Sequence, residues 1–517
     1  MHKIRHNLQC GILKMGRLFA PVILLLISYF CIPVSGSAQP YYVALNGSDT
    51  NSGALGSPFR TIEKAVSVVQ SGQIIYIRDG TYNLIATIAI AKSGVANSRI
   101  TLSAYPDERP VLNFSAQAFG SAGIRLTGSY WHFMGIDITA AGDNGMKIEG
   151  GSNNIIELCN FYRNRDSGLQ LDNGASDNTV RNCDSYFNAD PTDYGDADGF
   201  APKLTVGSGN YFYGCRAWKN CDDGWDGYMR GADDPSTIIE NCWAFGNGYL
   251  EDGTDPGAQA NGNGFKMGGS DDKTLKHNFT LKNCLAFNNK AKGFDQNSNM
   301  GSMILYNCTG YGNLVANYRI KTELAAGKVL VVKNCAELGG TAEIGAFAEQ
   351  AANSWLPPFV VTAGDFRSTD PAGADGPRKA DGSLPHIEYM HLAPGSDLID
   401  AGVNVGLPFM GTAPDLGCFE TGLTVISDTR ISTMVVCYPN PVSEKGVLEF
   451  SLDRGGRCEI RLFDVTGQYI RTLADNAVEP GEQRFPIDVS GLKDGLYICQ
   501  VRVNKVPVSV MRIIKAI

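Results

Sequence analysis

The segment NCDDGWDGYMRG at 220–231 holds three aspartates within five positions, Asp222, Asp223 and Asp226. Asp198 directly precedes a glycine, as Asp223 does. Four carboxylates gathered at one place repel one another or take up protons unless a cation compensates them. A hard cation with about six to eight oxygen ligands would do so, and Ca²⁺ tolerates irregular carboxylate geometry better than Mg²⁺. The pattern predicts a calcium site; the alternative is a set of turns, which Asp and Gly favour.

A lysine takes the matching position in a later segment. GWD at 224 and GFK at 264 align on their glycines, which places Lys266 at the position of Asp226. A nearby divalent cation disfavours an ammonium and lowers its pKa, as a lysine general base requires. Facing a uronate held by the cation, this lysine would remove the C5 proton and the C4 oxygen would leave. The residues predict β-elimination, with a solvated lysine on a strand as the alternative.

In a solenoid, equal positions of successive coils lie next to one another, which would bring these side chains together. The sequence contains the internal repeats that such a fold requires. A phrase of cysteine, an aromatic three residues later and asparagine five residues later recurs, as in NCDSYFN, GCRAWKN and NCWAFGN. Its cysteines are Cys159, Cys183, Cys215, Cys242, Cys284 and Cys308, and Cys335 begins a seventh copy that lacks the aromatic and the asparagine. Such repeats predict a parallel β-solenoid, whose coils stack equal positions about 4.8 Å apart. We expect free thiols and stacked aromatic rings in the core and asparagines bonded between turns; the alternative for the cysteines is disulfides.

Both flanks of the repeats have their own pattern. FRTIEKAVSVV at 59–69 has helical apolar spacing behind Thr61 as N-cap, and we expect it to cap the open end of the solenoid. Alternating strands after about residue 425 predict a small β-sandwich. The predicted fold class is all-β: a parallel β-helix with an N-terminal capping helix, followed by a small C-terminal β-sandwich.

The beginning of the chain predicts export. Residues 1–38 carry four basic and no acidic residues, the apolar run APVILLLISYF and the small residues GSA. This is typical of a secretory signal peptide cleaved after Ala38, since the apolar run is short for a membrane span. Without that segment, 40 Lys and Arg stand against 53 Asp and Glu, a net charge of −13. Nucleic acid is therefore excluded as a partner, and an anionic polymer needs a cation or a basic patch in order to bind.

Several segments carry a family resemblance. DADGFAPKLTVGSGN, CDDGWDGY and NGNGFKMGG resemble segments of the pectate lyases of polysaccharide lyase family nine. YYVALNGSDTNSG, SPFRTIEKAV, LAPGSDLIDAGV and APDLGCFE are similar to that family too, so the resemblance spans about 41–420. It implies a right-handed parallel β-helix, Ca²⁺ as cofactor, the four aspartates as its ligands and Lys266 as base. Pro202 departs from the family pattern, where we expect a small residue, and touches no catalytic position.

The C-terminal segment carries a second resemblance. YPNP, DVTGQ and GLKDGLYICQV resemble the C-terminal sorting domain of the type IX secretion system. This implies passage through the periplasm to the exterior or cell surface, with that machinery as a partner; the alternative is a carbohydrate-binding sandwich. The predicted domains are a signal peptide at 1–38, a β-helix catalytic domain at 39–425, and a linker with a β-sandwich sorting domain at 426–517.

The predicted function is a secreted, monomeric pectate lyase that cleaves polygalacturonate by calcium-assisted β-elimination and releases 4,5-unsaturated uronides. The expected contacts to the acidic polysaccharide are Lys203, Arg230, Arg319 and Lys321. The alternatives are, in order, a lyase for rhamnogalacturonan or another uronate polymer, a polygalacturonase-like hydrolase, and a non-catalytic calcium-binding surface protein that binds glycans. A hydrolase of that type needs an acid and a base carboxyl, and its usual glycine-flanked histidine is missing from the sequence.

Overall fold

The structure is a computed structural model that describes residues 39–422, 435–452, 455–464, 469–503 and 506–515. The predicted signal peptide lies outside this part of the chain. Among the described residues, no helix has the length and apolar character needed to cross a membrane. Most of the chain winds into coils of three short strands, and strands of successive coils pair in parallel.

Three parallel sheets run along the solenoid, and we number their strands in chain order. Sheet 1 has twelve strands: β1 Tyr41–Val43, β2 Ile74–Ile77, β5 Ile100–Ala104, β8 Trp131–Met134, β11 Ile155–Glu157, β14 Thr179–Arg181, β17 Asn210–Tyr213, β20 Ser236–Glu240, β23 Asn278–Lys282, β26 Met303–Tyr306, β29 Leu330–Lys333 and β32 Glu349–Ala351. Sheet 2 has ten: β3 Thr81–Asn83, β6 Val111–Asn113, β9 Asp137–Thr139, β12 Asn160–Tyr162, β15 Asp184–Tyr186, β18 Arg216–Trp218, β21 Trp243–Phe245, β24 Leu285–Phe287, β27 Thr309–Tyr311 and β30 Ala336–Leu338. Sheet 3 has ten: β4 Ile88–Ile90, β7 Ile124–Leu126, β10 Met146–Glu149, β13 Leu169–Asp172, β16 Phe200–Pro202, β19 Trp225–Asp226, β22 Phe265–Lys266, β25 Lys292–Asp295, β28 Ala316–Ile320 and β31 Ala342–Ile344.

Aromatic side chains hold sheet 3 in register. Phe200 pairs with Trp225, Trp225 with Phe265, and Phe265 with Phe294, all directed into the core. Their ring centroids lie 4.9, 4.8 and 5.3 Å apart, within the range of favourable aromatic packing. Because side chains alternate along a strand, the residue after each ring faces outward.

The thiols stack as predicted. The seven repeat cysteines are buried in the main core of the solenoid. All twelve cysteines in the described part of the chain are free. The expectation of small buried hydrophobes in place of disulfides is confirmed.

Asparagines bond successive turns to one another, also as predicted. Asn220 Nδ2 donates to Asn247 Oδ1 at 3.0 Å, and Asn247 Nδ2 donates to Asn289 Oδ1 at 2.9 Å. Asn289 Nδ2 donates in turn to Asn313 Oδ1 at 2.8 Å. The backbone N–H of each asparagine binds the same acceptor as its side chain. This ladder satisfies buried polar groups that otherwise carry a large desolvation cost.

The recurring aromatic rings also stack, but the prediction that they fill the solenoid core is wrong. Ala217 faces the core, so its neighbour Trp218 faces outward from sheet 2. Trp218 stacks on Tyr186 at 4.4 Å and on Phe245 at 5.6 Å. The chain after the last coil covers this outer row, and its Tyr389 contributes to a separate hydrophobic core there.

The N-terminal helix α1 spans Ile62–Val68. Thr61 Oγ1 accepts a hydrogen bond from the Lys64 N–H at 3.2 Å, which makes it the N-cap. The helix buries Ile62, Ala65 and Val66 against β1, β2 and β4 of the first coil. A short 3₁₀ helix, η1 Ala363–Asp365, lies in the segment after the coils.

Two antiparallel sheets form the C-terminal unit. The first contains β33 Val436–Tyr438, β34 Lys445–Leu452 and β37 Gly481–Asp488. The second contains β35 Gly456–Phe463, β36 Tyr469–Val478, β38 Gly495–Val503 and β39 Val506–Lys515. Apolar side chains from both sheets share one core, as expected for a small sandwich.

We predict that Asn289→Ala destabilises the solenoid by about 2–3 kcal/mol, because the substitution leaves buried donors and acceptors of both neighbouring turns unpaired. Thermal and denaturant unfolding measure this effect. Asn83→Ala is the matched control, since Asn83 is an exposed asparagine that accepts one hydrogen bond from Asn113, and its expected change is below about 0.5 kcal/mol. Equal stability of the two variants would contradict the role given to the ladder.

Candidate active site

Sheet 3 brings four aspartates together on neighbouring coils. Asp198 lies in the turn before β16, and Asp222 and Asp223 lie in the turn before β19. Asp226 ends β19, and all four side chains are buried, at most 2% exposed. One oxygen from each of Asp198, Asp222 and Asp223 lies within 4.8 Å of the others.

Glycines permit this close approach of the coils. A Cβ atom on Gly224 would lie 2.6 Å from the carbonyl oxygen of Gly264 on the next coil. A Cβ on Gly199 would lie equally close to the carbonyl oxygen of Gly224. No other residue type fits these positions without moving the backbone, so the repeating glycine fixes the turns that carry the carboxylates.

Lys266 reaches the cluster from the following coil. It pairs in register with Asp226 across β19 and β22. Its Nζ lies 3.0 Å from Asp223 Oδ2 and 3.3 Å from Asp226 Oδ1. The sequence alignment on the glycine phrase thus predicted both the neighbour and the direction of this amine.

Lys203 lies inside the same cluster. Its Nζ is 2.8 Å from Asp198 Oδ2 and 3.6 Å from Asp226 Oδ2, and the side chain is buried. We expected a contact to substrate, whereas the structure places this amine as an internal counter-charge. Four ionised carboxylates against two ammonium groups would carry a net charge of −2, which one divalent cation would neutralise.

Two asparagines that the sequence reasoning did not single out hold the acids in place. The backbone N–H of Asn261 donates to Asp222 Oδ1 at 2.5 Å. Asn263 donates to Asp223 Oδ1 twice, from its backbone N–H at 2.7 Å and from Nδ2 at 2.8 Å. Both belong to the inserted loop before Gly264. The sequence feature that could have revealed them is the motif NGNG at 261–264, which directly precedes β22 and Lys266.

Burial and charged neighbours shift the pKa values of the carboxyl groups. Burial, with repulsion from Asp223 as the next cause, raises the pKa of Asp222 to about 7. Burial also raises the pKa of Asp198 well above its usual value, against the opposing charge of Lys203. Burial opposes ionisation of Asp226, but Lys266 and Lys203 outweigh it and lower its pKa.

Lys266 is a protonated amine in this arrangement. Burial disfavours its charge, but the carboxylates of Asp223 and Asp226 outweigh burial and hold its pKa well above the usual value. A base needs a neutral amine. A cation that compensated the surrounding acids would lower the pKa of this amine toward the neutral form.

The donor set fits a hard divalent cation. Asp223 Oδ2 is buried and accepts no hydrogen bond, although Lys266 Nζ lies 3.0 Å away. Asp198 and Asp222 present carboxylate oxygens to the same place. Clustered carboxylate oxygens match the ligands that Ca²⁺ takes.

The three remaining predicted contacts lie outside the cluster. Arg230 is exposed, with its Nε 3.6 Å from Asp271 Oδ2. Arg319 Nε lies 3.1 Å from Glu343 Oε2, and Lys321 Nζ lies 2.5 Å from the same oxygen. Arg319 shares the outward column of sheet 3 with Lys266, through Asp295.

Residues 41–334 match a family described as Pel9A-like, right handed beta helix region. The chain belongs to this Pel9A-like family. The match confirms the predicted fold class and its right hand, and the relatives named as pectate lyases confirm the assignment to the polysaccharide lyases. Residues 436–516 match a secretion system C-terminal sorting domain, which confirms the second resemblance.

Proteins named as lyases are similar to this chain over most of its length. Pectate lyase L of Dickeya chrysanthemi is 40% identical over 398 residues, which cover 74% of this chain and 90% of that protein. A crystal structure of pectate lyase Pel9A superposes with a TM-score of 0.69 at 37% identity, covering 74% of this chain and 96% of that one. A structure named rhamnogalacturonan lyase superposes with a TM-score of 0.61 at 28% identity, covering 70% of this chain and 98% of that one.

We predict that Ca²⁺ affinity falls as the pH drops through about 7. The Asp222 carboxyl has a raised pKa of about 7, so below that pH a proton occupies it and an incoming ion must displace the proton. The expected loss approaches about tenfold per pH unit for one displaced proton. Calorimetric titration between about pH 5 and pH 8 in two buffers measures both affinity and proton release.

Asp252→Asn, an exposed control, is expected to retain the dependence, whereas Asp222→Asn loses most of the binding. A constant affinity across this range would contradict the assigned protonation.

Proposed function

We propose that this protein is a secreted pectate lyase that cleaves polygalacturonate by β-elimination with Ca²⁺ and a lysine base. The observation that carries the proposal is the lysine amine placed against a buried carboxylate cluster, 3.0 Å from Asp223 Oδ2. The identity to pectate lyase L supports the same reaction. The residue roles below are those expected from the sequence, namely Asp198, Asp222, Asp223 and Asp226 for the ion and Lys266 for the proton.

The carboxylates of Asp198, Asp222 and Asp223 would hold the cation, with Asp226 at their edge. When bound, Ca²⁺ would offset the charge of the acid cluster and polarise the uronate carboxylate, which would acidify the C5–H bond and weaken the field that keeps Lys266 protonated. Asn263 keeps Asp223 oriented through two hydrogen bonds. Lys203 compensates the charge of Asp198 at 2.8 Å.

Lys266 carries the proton transfer. Its neutral Nζ takes the proton from C5 of the uronate, the electron pair forms the C4=C5 double bond, and the C4–O bond breaks. The departing oxygen takes a proton from water. Asp223 and Asp226 hold the amine in position and stabilise the ammonium that forms.

Basic side chains on the same face suit an anionic polymer. Arg230 lies beside Tyr228 near Lys266, and Arg319 and Lys321 lie further along sheet 3. In a protein of net charge −9, such local patches together with the cation allow the polysaccharide to approach.

Rhamnogalacturonan is the second candidate substrate, since the structure named for that activity shares this fold at 28% identity. A comparison of polygalacturonate with rhamnogalacturonan backbone, followed by ultraviolet absorbance of the unsaturated product, separates the two. A hydrolase would release reducing ends without that absorbance, and a binding protein would release neither.

Export completes the proposal. The sorting domain at 436–516 supports delivery to the exterior or cell surface. The signal peptide at 1–38, the domain limits at 39–425 and 426–517, and a monomeric state are parts of the same proposal.

We predict that Lys266→Ala lowers turnover by about 10³-fold, the usual contribution of a general base, while Ca²⁺ still binds. Initial rates on polygalacturonate and calorimetry measure the two effects. Lys273→Ala, at an exposed loop position, serves as the control and should leave both unchanged. Near-normal turnover of Lys266→Ala would exclude this residue as the base.

We predict that chelation abolishes elimination and that added Ca²⁺ restores it, because without the cation the carboxylates hold Lys266 protonated. Product absorbance in excess chelator, followed by titration of Ca²⁺ and of Mg²⁺, measures the effect. Recovery should be stronger with Ca²⁺, since irregular carboxylate sites suit it better. Full activity in chelator would contradict a cation-dependent reaction.

A further inference from the structure

The outward side chains of sheet 3 form one straight column through the cluster. Asp226 pairs with Lys266, Lys266 with Asp295, and Asp295 with Arg319. In the other direction the column reaches Gln170, Lys147 and Arg125. The face therefore continues past the acid cluster toward both ends of the solenoid.

A basic group lies on this face toward the N-terminal end. Arg125 and Lys147 occupy neighbouring strands β7 and β10. Both pair with Glu149: the Arg125 guanidinium contacts it directly, and Lys147 Nζ lies 3.6 Å from its Oε1. The Arg125 side chain is 56% exposed, so it can change its partner.

A matching group lies toward the C-terminal end. Arg319 Nε and Lys321 Nζ both contact Glu343 Oε2, at 3.1 and 2.5 Å. The Lys321 side chain is 53% exposed. Each group thus has the same composition, two cations that share one glutamate.

The inner cation of each group lies at the same distance from the cluster. Lys147 on β10 lies three coils before Asp226 on β19, and Arg319 on β28 lies three coils after it. Three coils span about 14 Å at the spacing of paired strands. One coil is close to the length by which each residue extends a linear hexopyranose chain, so seven coils match about seven sugars.

We propose that these two basic groups are the outer uronate subsites of the pectate lyase, so that the enzyme binds about seven acidic sugars along sheet 3 and cleaves within the polymer. The inference depends on the proposed function and adds Arg125 and Lys147 to the substrate contacts. A sugar carboxylate replaces Glu149 or Glu343 as partner of the cations. The cations can make this exchange because the Arg125 and Lys321 side chains are more than half exposed, and ion pairs of exposed cations contribute little to stability.

Between the two groups the outward column itself carries no accessible cation. Asp295 is buried and paired with Lys292 at 3.0 Å, and Gln170 is neutral and buried. Accessible positive charge therefore lies at both ends of the face, with the cation site and the exposed Arg230 between them. A chain held at both ends extends beyond the cleaved bond in both directions.

The test compares an N-side variant, Arg125→Gln with Lys147→Gln, and a C-side variant, Arg319→Gln with Lys321→Gln. Substrates are tri- and octagalacturonate labelled at the reducing end, with polygalacturonate for product sizes. We expect each variant to raise KM on the octamer about tenfold, as expected for the loss of charge-assisted contacts, with a smaller rise on the trimer. The preferred cleavage site on the labelled octamer should shift toward opposite ends in the two variants.

Further measurements keep the test decisive if a double variant fails to fold. Glu149→Gln and Glu343→Gln remove the competing carboxylates and should each lower KM on the octamer. Lys282→Gln, whose partner Glu240 lies on sheet 1 at 3.8 Å, is the control and should match the unaltered protein.

Unchanged KM and cleavage pattern in both double variants, with wild-type elimination intact, would overturn the subsites alone. No elimination by the wild type on any of these substrates would overturn the proposed function and this inference with it.

Discussion

Parallel pairing of sheet 3 is the constraint on which the site depends. Coils spaced by about 4.8 Å put Asp198, Asp223 and Lys266 on three successive turns, although up to 43 residues separate them along the chain in the longest interval, Asp223 to Lys266. The inward rings of Phe200, Trp225 and Phe265 hold that register. A shift of one residue would turn Asp226 into the core and Trp225 outward. The apolar stack inside the solenoid thus specifies the polar arrangement outside it.

Repulsion among the buried carboxylates destabilises the fold, and other interactions of the solenoid must offset this cost. Buried carboxylates raise one another's pKa, and the two buried lysines relieve only part of this repulsion. Removing one partner of such a network is costly because it leaves an uncompensated buried charge. The Asn263 and Asn261 hydrogen bonds, together with the asparagine ladder, keep the turns from separating. The same repulsion would favour the divalent ion that we propose for this site.

The repeat phrase was sufficient to predict the solenoid, the thiol column and the position of Lys266 beside Asp226, since each follows from equal positions stacking between coils. It did not reveal the side of the strand on which Trp218 lies, because that residue is buried in a second core built by the segment after the coils. The repeat phrase also did not reveal that the amine of Lys203 lies among the carboxylates. A lysine directly after a strand gives no sign of whether its amine turns outward or back toward Asp198. Asn261 and Asn263 belong to an insertion, whose conformation no periodicity describes.

The column of unpaired thiols bears on how long an exported enzyme survives. Oxidation requires a thiolate, and burial raises the pKa of Cys159, Cys183 and Cys215 well above the usual value. Each of these sulfurs has another cysteine as its neighbour on the adjacent coil, so a coil that opened would expose two reactive groups together. The lifetime of the folded protein under oxidising conditions is therefore a kinetic property, which depends on the rate at which the stacked coils open locally.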